Sequence, residues 1–307
     1  MIFSSPILVT GSETMEGLSL LKTLQENGFK NLFTLDGDEL RNPTHVARFF
    51  EKSKLEYVFL LGGKSGGIKA NQEMPATLMI DNLQITSNIL SAAHKYGVKK
   101  LLFLASSCVY PKYCEQPMKV DMLMTGSLEP TNTSYAMAKL AGIELCSAYR
   151  REYKDNFISA IPANLFGPED DFSTENSHVI SALIAKIHQA SKDNLDTVEI
   201  WGTGSPKREF IYVDDFSSAA MFLMQNYEKG IPINIGSNEV ISISKVAEII
   251  KQTVQYQGKL IYNTKKPDGM PIKTLDSSVL TSLGWKSSFN FQSAIELTYK
   301  WFLSRET

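Results

Sequence analysis

The chain has 307 residues, 43% of them hydrophobic, so it can bury a large core in one elaborated domain or two lobes. Its net charge is −2, with both signs interspersed along the chain, which leaves no basic field to hold nucleic acid. No apolar run reaches the roughly 18 residues of a membrane-spanning helix, and residues 1–10 lack the basic residues of a signal peptide. We therefore expect a cytoplasmic protein with no membrane or nucleic-acid partner. Three cysteines without a CxxC pair predict neither a disulfide framework nor a metal site.

In the first half of the chain, strand-like apolar runs alternate with helical patterns. The runs cover residues 7–9, 32–35, 57–61, 100–104 and 157–161, and the helical patterns cover residues 18–27, 82–94 and 134–149. This alternation predicts an α/β fold with a Rossmann-like, doubly wound parallel sheet.

The rhythm breaks after Pro162, where loops rich in glycine and proline separate helical or partly helical patterns at 210–224 and 243–256. We therefore expect a smaller C-terminal α/β lobe that binds substrate. The predicted dinucleotide-binding domain covers residues 1–165 and about 213–235, and the predicted substrate-binding lobe covers residues 166–212 and 236–307.

A glycine-containing turn follows the first strand and opens a helix, which is the context of a dinucleotide fingerprint. The predicted cofactor loop comprises Gly11, Glu13, Thr14, Met15 and Gly17. A Gly-x-x-Gly-x-x-Gly pattern would have glycine at position 14, where this chain has Thr14. The alternative interpretation of the segment is therefore an ordinary tight turn between a strand and a helix, with no nucleotide bound. The second strand ends at Asp36, where a carboxylate can bind the ribose diol and would repel a 2′-phosphate. A solvated acid at a strand end is the other interpretation of Asp36.

Tyr135 and Lys139 lie four residues apart and therefore share one face of the predicted helix. An ammonium near a phenol stabilises the phenolate, so we expect a lowered pKa for Tyr135. The phenol would then both donate and accept protons near neutrality. These are the parts of a hydride-transfer site.

A family resemblance covers nearly the whole chain. It is carried by residues 64–68, 106–112, 129–142, 164–168, 177–180, 201–204, 208–210 and 266–269. The chain resembles the extended short-chain dehydrogenase/reductases and, within them, the GDP-L-fucose synthase family. The Tyr135/Lys139 pair is shared by the whole superfamily, whereas Cys108, His178 and residues 201–208 are specific to this branch.

The resemblance implies epimerisation of GDP-4-keto-6-deoxy-D-mannose at C3 and C5, followed by NAD(P)H-dependent reduction at C4 to GDP-L-fucose. Cys108 and His178 match the base and acid of epimerisation, and a thiol serves as a base when its site lowers its pKa. Ser106 matches the residue that hydrogen-bonds the C4 oxygen. Tyr135 would donate the proton to that oxygen, and Lys139 would tune Tyr135 and hold the nicotinamide ribose.

The resemblance also implies binding residues, with Asn164 on the cofactor. Around the GDP group it implies Lys186, Trp201, Arg208 and Asp268. Cations would neutralise the diphosphate, the indole would offer a stacking face, and the carboxylate would accept hydrogen bonds. A homodimer is a further implication.

The cofactor preference departs from the family pattern. Relatives commonly use NADP and carry arginines where this chain has Glu13 and the segment 35–37. Two acids near an adenosine phosphate would weaken NADPH binding, so the sequence favours NAD. Arg41 could still bind the phosphate if its loop folds back.

Several alternatives stay open. The substrate could be a related GDP-4-keto sugar, such as a 6-deoxy-heptose or dideoxy-hexose precursor, because the catalytic residues do not read the C3 and C6 substituents. The departure at Thr14 also permits a dinucleotide-binding regulatory protein with a vestigial site. Ser107 could replace Ser106 as the catalytic serine, and a buried Cys108 could be an ordinary core residue.

Overall fold

The computed structural model describes residues 1–173, 177–266 and 268–305, so Pro267 of the segment 266–269 lies outside the described residues. The strands are β1 (Ile7–Thr10), β2 (Leu32–Leu35), β3 (Tyr57–Leu60), β4 (Lys100–Leu104), β5 (Phe157–Pro162), β6 (Asn164–Phe166), β7 (Thr197–Trp201), β8 (Lys207–Tyr212), β9 (Ile233–Ile235), β10 (Val240–Ser242), β11 (Lys259–Asn263) and β12 (Ile272–Lys273). The helices are α1 (Met15–Glu26), α2 (Pro43–Ser53), α3 (Ile68–Glu73), α4 (Pro75–Lys95), α5 (Thr133–Tyr153), α6 (Val179–Lys192), α7 (Val213–Asn226), α8 (Ile243–Val254), α9 (Ser278–Ser282) and α10 (Phe291–Arg305). Among these helices, none is long and apolar enough to cross a membrane.

The main sheet has six parallel strands in the order β2-β1-β3-β4-β5-β9. The chain moves outward from β1 in both directions, so right-handed crossovers put α1 and α4 on opposite faces. On one side α1 packs against α7, and on the other α4 packs against α2 and α5. Strands β1, β4 and β5 are buried along their whole length, as a sheet covered on both faces requires. The predicted doubly wound sheet is therefore confirmed.

The C-terminal lobe is a smaller α/β assembly with a core of its own. Its central strand β8 pairs with β10, β12 and β6, while β11 pairs with β7. Helix α8 contacts both α6 and α10. The second hydrophobic core includes Phe166, Ile184, Phe210, Ile250 and Ile295. The predicted smaller C-terminal α/β lobe is therefore confirmed.

The two cores are interlaced along the sequence. Helix α7 and strand β9 return to the main sheet after β8, and the chain then goes back to the second core through β10 and α8. Leu280 and Trp285 pack on the first core although they lie within residues 236–307. The predicted domain boundaries stay a prediction.

The prediction of a helical or partly helical pattern from residue 210 is wrong for its first three residues. Phe210, Ile211 and Tyr212 belong to strand β8, and the helix begins at Val213. Successive apolar residues look alike in a buried strand and a buried helix, so the sequence could not separate them.

The turn between β1 and α1 depends on two glycines that approach each other closely. A Cβ on Gly17 would lie 1.9 Å from the carbonyl oxygen of Gly11. Gly11 itself has a φ of +72° and would bring a Cβ to 2.9 Å from the Cα of Gly62. Both positions therefore exclude side chains for steric reasons.

We expect Gly17→Ala to lower the free energy of unfolding by about 1–3 kcal/mol, because the added methyl group overlaps backbone that has to shift. Urea unfolding of the purified variant checks this. Gln25→Ala is the matched control, since Gln25 is an exposed residue of the same helix. Equal stability of the two variants would contradict the steric argument.

Candidate active site

One cavity of about 540 Å³ lies where the carboxyl ends of β1, β3, β4 and β5 face the C-terminal lobe. This is the edge at which open parallel sheets bind ligands. Residues from the main sheet and its helices line one side, among them Thr14, Met15, Glu16, Ser106, Tyr135 and Lys139. Residues from β6 onward line the other, among them Asn164, His178, Trp201, Arg208 and Asp268.

The first turn of α1 opens into this cavity. Thr14 is the N-cap of the helix, with a φ of −91°, and its hydroxyl accepts a hydrogen bond from the Gly17 amide at 3.2 Å. The same hydroxyl donates to the Gly11 carbonyl oxygen at 2.9 Å. Threonine therefore replaces glycine here because the position needs a capping oxygen and no left-handed backbone. The helix N-terminus and the close glycines fit a dinucleotide pyrophosphate.

Asp36 is anchored to the same turn. Its carboxylate accepts hydrogen bonds from the Ser12 amide at 2.7 Å and from the Ser12 hydroxyl. Asp36 and the exposed Glu13 do not line the cavity itself. The carboxylate thus sits at the end of β2, beside the loop in which an adenosine ribose would lie.

Arg41 does not extend as a free cation toward that position. Its guanidinium donates to Asp38 and, at 2.9 Å, to Asp81. Asp81 is almost fully buried and also pairs with Lys64 at 2.8 Å. The hydrogen bonds from these cations hold the pKa of Asp81 below its ordinary value despite its burial.

Tyr135 and Lys139 both line the cavity from α5, as their spacing predicts. The predicted lowering of the Tyr135 pKa is wrong: burial raises it, and the charges of Cys108 and Glu16 act in the same direction. The Lys139 Nζ donates to the Leu104 carbonyl at 3.0 Å and lies 5.7 Å from the Tyr135 ring centroid. Burial lowers the pKa of Lys139 to about 8. The phenol is therefore held in its protonated form.

Ser106 lies between the end of β4 and a short 3₁₀ turn, and it lines the cavity together with Ser107. The Ser106 hydroxyl accepts a hydrogen bond from the Cys108 amide at 3.4 Å, which caps a short 3₁₀ turn over residues 107–109. Because the Ser106 oxygen accepts in this bond, its hydroxyl proton can be donated to a ligand in the cavity.

Cys108 follows these two serines but does not line the cavity itself, and it is 9% exposed. The base role that the resemblance implies is served by a site that lowers the pKa of the thiol, but burial raises the pKa of Cys108. The charges of Lys273 and Lys139 and the Ser106 hydroxyl act in the opposite direction. The cysteine is therefore a thiol in most molecules at neutral pH, and a thiolate forms beside two cations.

His178 faces the cavity from the N-cap position of α6. Its Nδ1 lies 3.7 Å from a carboxylate oxygen of Asp170. Contact with that carboxylate raises the pKa of His178 above its ordinary value, although partial loss of water around the ring acts against it. The imidazolium form is thus favoured in this site.

The far end of the cavity holds three of the four predicted GDP-binding residues. Asp268 accepts hydrogen bonds from the amide and hydroxyl of Thr203 at 2.9 and 2.7 Å, which lower its pKa. Arg208 donates to the Met270 carbonyl at 2.6 Å. Trp201 is 65% exposed, which contradicts an indole packed in the core. Lys186 is not brought here: it does not line the cavity, and its Nζ donates to the Glu199 carbonyl at 2.5 Å.

Sequence reasoning missed three charged residues of this site. They are Glu16, Asp170 and Lys273, and each affects the pKa of a predicted catalytic residue. Asp170 could have been noticed from its place three residues after Gly167, just before the histidine segment. The other two lie near the catalytic residues only because of tertiary packing.

The family model for the NAD dependent epimerase/dehydratase family matches residues 7–236, and the chain belongs to that family. It is 45% identical over 302 residues to the putative GDP-L-fucose synthase 2 of Arabidopsis thaliana, covering 98% of this chain and 92% of that protein. The crystal structure of a GDP-6-OMe-4-keto-L-xylo-heptose reductase from C. jejuni aligns with a TM-score of 0.93 at 33% identity, covering 99% of both chains. A GDP-L-fucose synthetase from Naegleria fowleri, in a structure bound to NADP, aligns with a TM-score of 0.91 at 28% identity, covering 100% of this chain and 96% of that one. The resemblance stated from the sequence is confirmed.

Proposed function

We propose that this protein converts GDP-4-keto-6-deoxy-D-mannose to GDP-L-fucose in one site, by epimerisation at C3 and C5 and reduction at C4. The observation that carries this proposal is the shared cavity, which Ser106, Tyr135, Lys139 and His178 line together. Cys108 is not itself a lining residue but directly follows Ser106 and Ser107, which are. The similarity to GDP-L-fucose synthases over nearly the whole chain supports the same reaction.

Epimerisation requires a base on one face of the sugar and an acid on the other. The proton at C3 or C5 is acidic because the enolate delocalises onto the C4 oxygen. The Cys108 thiolate takes that proton, and the His178 imidazolium returns one to the opposite face. Hydrogen bonds from Ser106 and Tyr135 to the C4 oxygen stabilise the enolate as its charge develops.

Reduction uses the same oxygen. The N-terminus of α1 would hold the pyrophosphate of a reduced nicotinamide nucleotide, which would supply the hydride for C4. Tyr135 gives its phenolic proton to the emerging alkoxide, while Ser106 holds that oxygen. Lys139 is buried below Tyr135, where its ammonium would stabilise the phenolate that this transfer leaves.

The test is direct: the purified protein is incubated with GDP-4-keto-6-deoxy-D-mannose and NADH or NADPH, and the product is identified by NMR. GDP-L-fucose is expected, with solvent deuterium at C3 and C5. A 4-reduced sugar without deuterium would mean a reductase alone. An unchanged substrate with both nucleotides would contradict the proposal.

A second candidate is a related GDP-4-keto sugar, either a heptose or a dideoxy-hexose. The alignment with a GDP-heptose reductase over 99% of both chains supports it. Competition between the 6-deoxy-hexose and heptose substrates separates the two candidates, because the preferred sugar will have the larger kcat/KM.

NADH is the proposed cofactor. Asp36, anchored by Ser12, supports a ribose diol with a free 2′-hydroxyl, while Arg41 is already paired with Asp38 and Asp81. We expect NADH to bind more tightly than NADPH by roughly tenfold, the scale of one nearby charge at a partly exposed site.

Asp36→Arg should narrow or reverse that preference, because it replaces repulsion of the 2′-phosphate with attraction. Asp36→Asn is the matched control and should change the preference only part of the way. Calorimetric titration of the unmodified protein and both variants with NADH and with NADPH measures the ratio of the two dissociation constants. Tighter binding of NADPH by the unmodified protein would contradict the role of Asp36.

A cytoplasmic homodimer is the proposed form. The three unpaired cysteines support a reducing compartment. Apolar side chains stand exposed on the packed helices α4 and α5, including Ile80, Met137 and Tyr153, which supports their burial against a second copy. Measurement of the molar mass in solution distinguishes a dimer from a monomer.

A further inference from the structure

A buried carboxylate behind the acid of the proposed epimerisation has no part in the chemistry described above. Asp170 follows β6 in the loop that leads to α6, and its side chain is only 7% exposed. Its Oδ1 lies 3.7 Å from His178 Nδ1 and accepts a hydrogen bond from the Asp171 amide at 2.8 Å. Its Oδ2 accepts a hydrogen bond from the Ser181 hydroxyl. The carboxylate is thus fixed from the loop and from the first turn of α6.

His178 needs such a partner for two reasons. It stands at the N-cap of α6, where the helix dipole disfavours a positive charge on the imidazole. Its side chain is 60% exposed in the cavity, so little packing holds the ring in one orientation. A carboxylate at one ring nitrogen fixes the ring and leaves the other nitrogen for the ligand.

We propose that Asp170 is a positioning residue for His178: it holds Nδ1 and keeps the ring as an imidazolium whose Nε2 serves the sugar. This inference rests on the proposed function, because it concerns the group that returns a proton during epimerisation. According to this inference, Asp170 determines both the orientation and the positive charge of the His178 ring.

Other charged groups also act on His178. Glu16 from α1 and the exposed Asp171 raise its pKa, but the contact with Asp170 has the largest effect. The side chain of Asp171 is turned to its own loop, where it accepts from the Ser173 amide at 2.8 Å. Asp171 therefore offers a matched control with the same chemistry and a weaker contact.

The proposal predicts a particular pH profile. The reactive form contains a Cys108 thiolate and a His178 imidazolium, and burial raises the pKa of the thiol. Between the pKa values of the two groups this form is a constant minority, and its share falls about tenfold for each unit by which the His178 pKa falls. Below the His178 pKa the rate declines as the thiolate is lost. The acidic limb of the profile therefore reports the pKa of His178.

The first experiment needs no substrate. Proton NMR of the free protein follows the titration of its four histidines, and the signal of His178 is assigned by its loss in His178→Asn. We expect a wild-type pKa above the ordinary value of about 6.5 and a fall of about one unit in Asp170→Asn. Asp171→Asn should shift it by less than half as much. A wild-type value below 6.5, or equal shifts in the two variants, would overturn the proposal.

The second experiment measures deuterium incorporation at C3 and C5 against pH. In Asp170→Asn the plateau should fall about tenfold and the acidic limb should move down by about one pH unit. A loss of packing alone would lower the rate without moving the limb, and that result would also overturn the proposal. If neither protein epimerises the sugar, the proposed function fails, while the NMR titration still decides the role of Asp170.

Discussion

Tyr135→Phe is expected to slow reduction of the C4 ketone by about 100- to 10,000-fold, because the emerging alkoxide loses its positioned proton donor. Burial keeps the Tyr135 phenol protonated, so in the wild type it is ready to donate at any pH near neutrality. The side chain lines the cavity, and the described residues provide no hydrogen-bond partner for its hydroxyl. The variant should therefore unfold at nearly the wild-type denaturant concentration. Nucleotide oxidation with the 4-keto sugar measures the effect.

Tyr110→Phe is the control for this variant. The Tyr110 hydroxyl donates to Asn234 at 2.6 Å and lies outside the cavity. Its removal should lower stability by about 1 kcal/mol and leave reduction close to normal. Near-normal reductase activity in Tyr135→Phe would remove Tyr135 from the mechanism.

Cys108→Ser is expected to stop the entry of solvent deuterium at C3 and C5, with a loss of about 100- to 10,000-fold. A hydroxyl is a far weaker acid than a thiol, so it supplies almost no anion to act as the base. The nicotinamide nucleotide should still bind, because Cys108 follows β4 and is not part of the cofactor loop between β1 and α1. Mass spectrometry of the sugar product in deuterium oxide measures the exchange.

Cys146→Ser provides the comparison, since Cys146 is also buried but lies on α5 and does not line the cavity. It should retain deuterium exchange at the wild-type rate per folded molecule. Undiminished exchange in Cys108→Ser would show that another group is the base.

The sequence predicts those parts of the site that depend on local pattern. Buried strands followed by helices require a parallel sheet, and its strand ends bring Ser106 and the first glycine turn to one edge. Tyr135 and Lys139 meet because they are four residues apart on one helix. The repeat of apolar residues, every 2 residues in a strand and every 3.6 residues in a helix, is sufficient for these inferences.

Burial and long-range contacts could not be predicted in the same way. A lowered pKa was expected for Tyr135 and would suit the base role of Cys108, but the pKa values of both groups are raised because packing removes water from them. The partners of the acid–base pair come from different elements: Asp170 from the loop after β6, and Lys273 from β12. Lys273 is so far from Cys108 in the sequence that the pattern gives no sign of their proximity, whereas Asp170 shares a loop with His178.

The interlaced path of the chain also constrains protein engineering. Because α7 and β9 interrupt the C-terminal lobe, any continuous fragment that carries the whole sugar-nucleotide end of the cavity also carries α7 and β9, which pack on the main sheet. A chimera made at one crossover point before β6 would therefore exchange part of the main sheet together with the C-terminal lobe. Transfer of sugar preference from a relative with the main sheet left unchanged requires two grafted segments, or point changes around Trp201 at the end of β7 and Asp268 in the loop after β11.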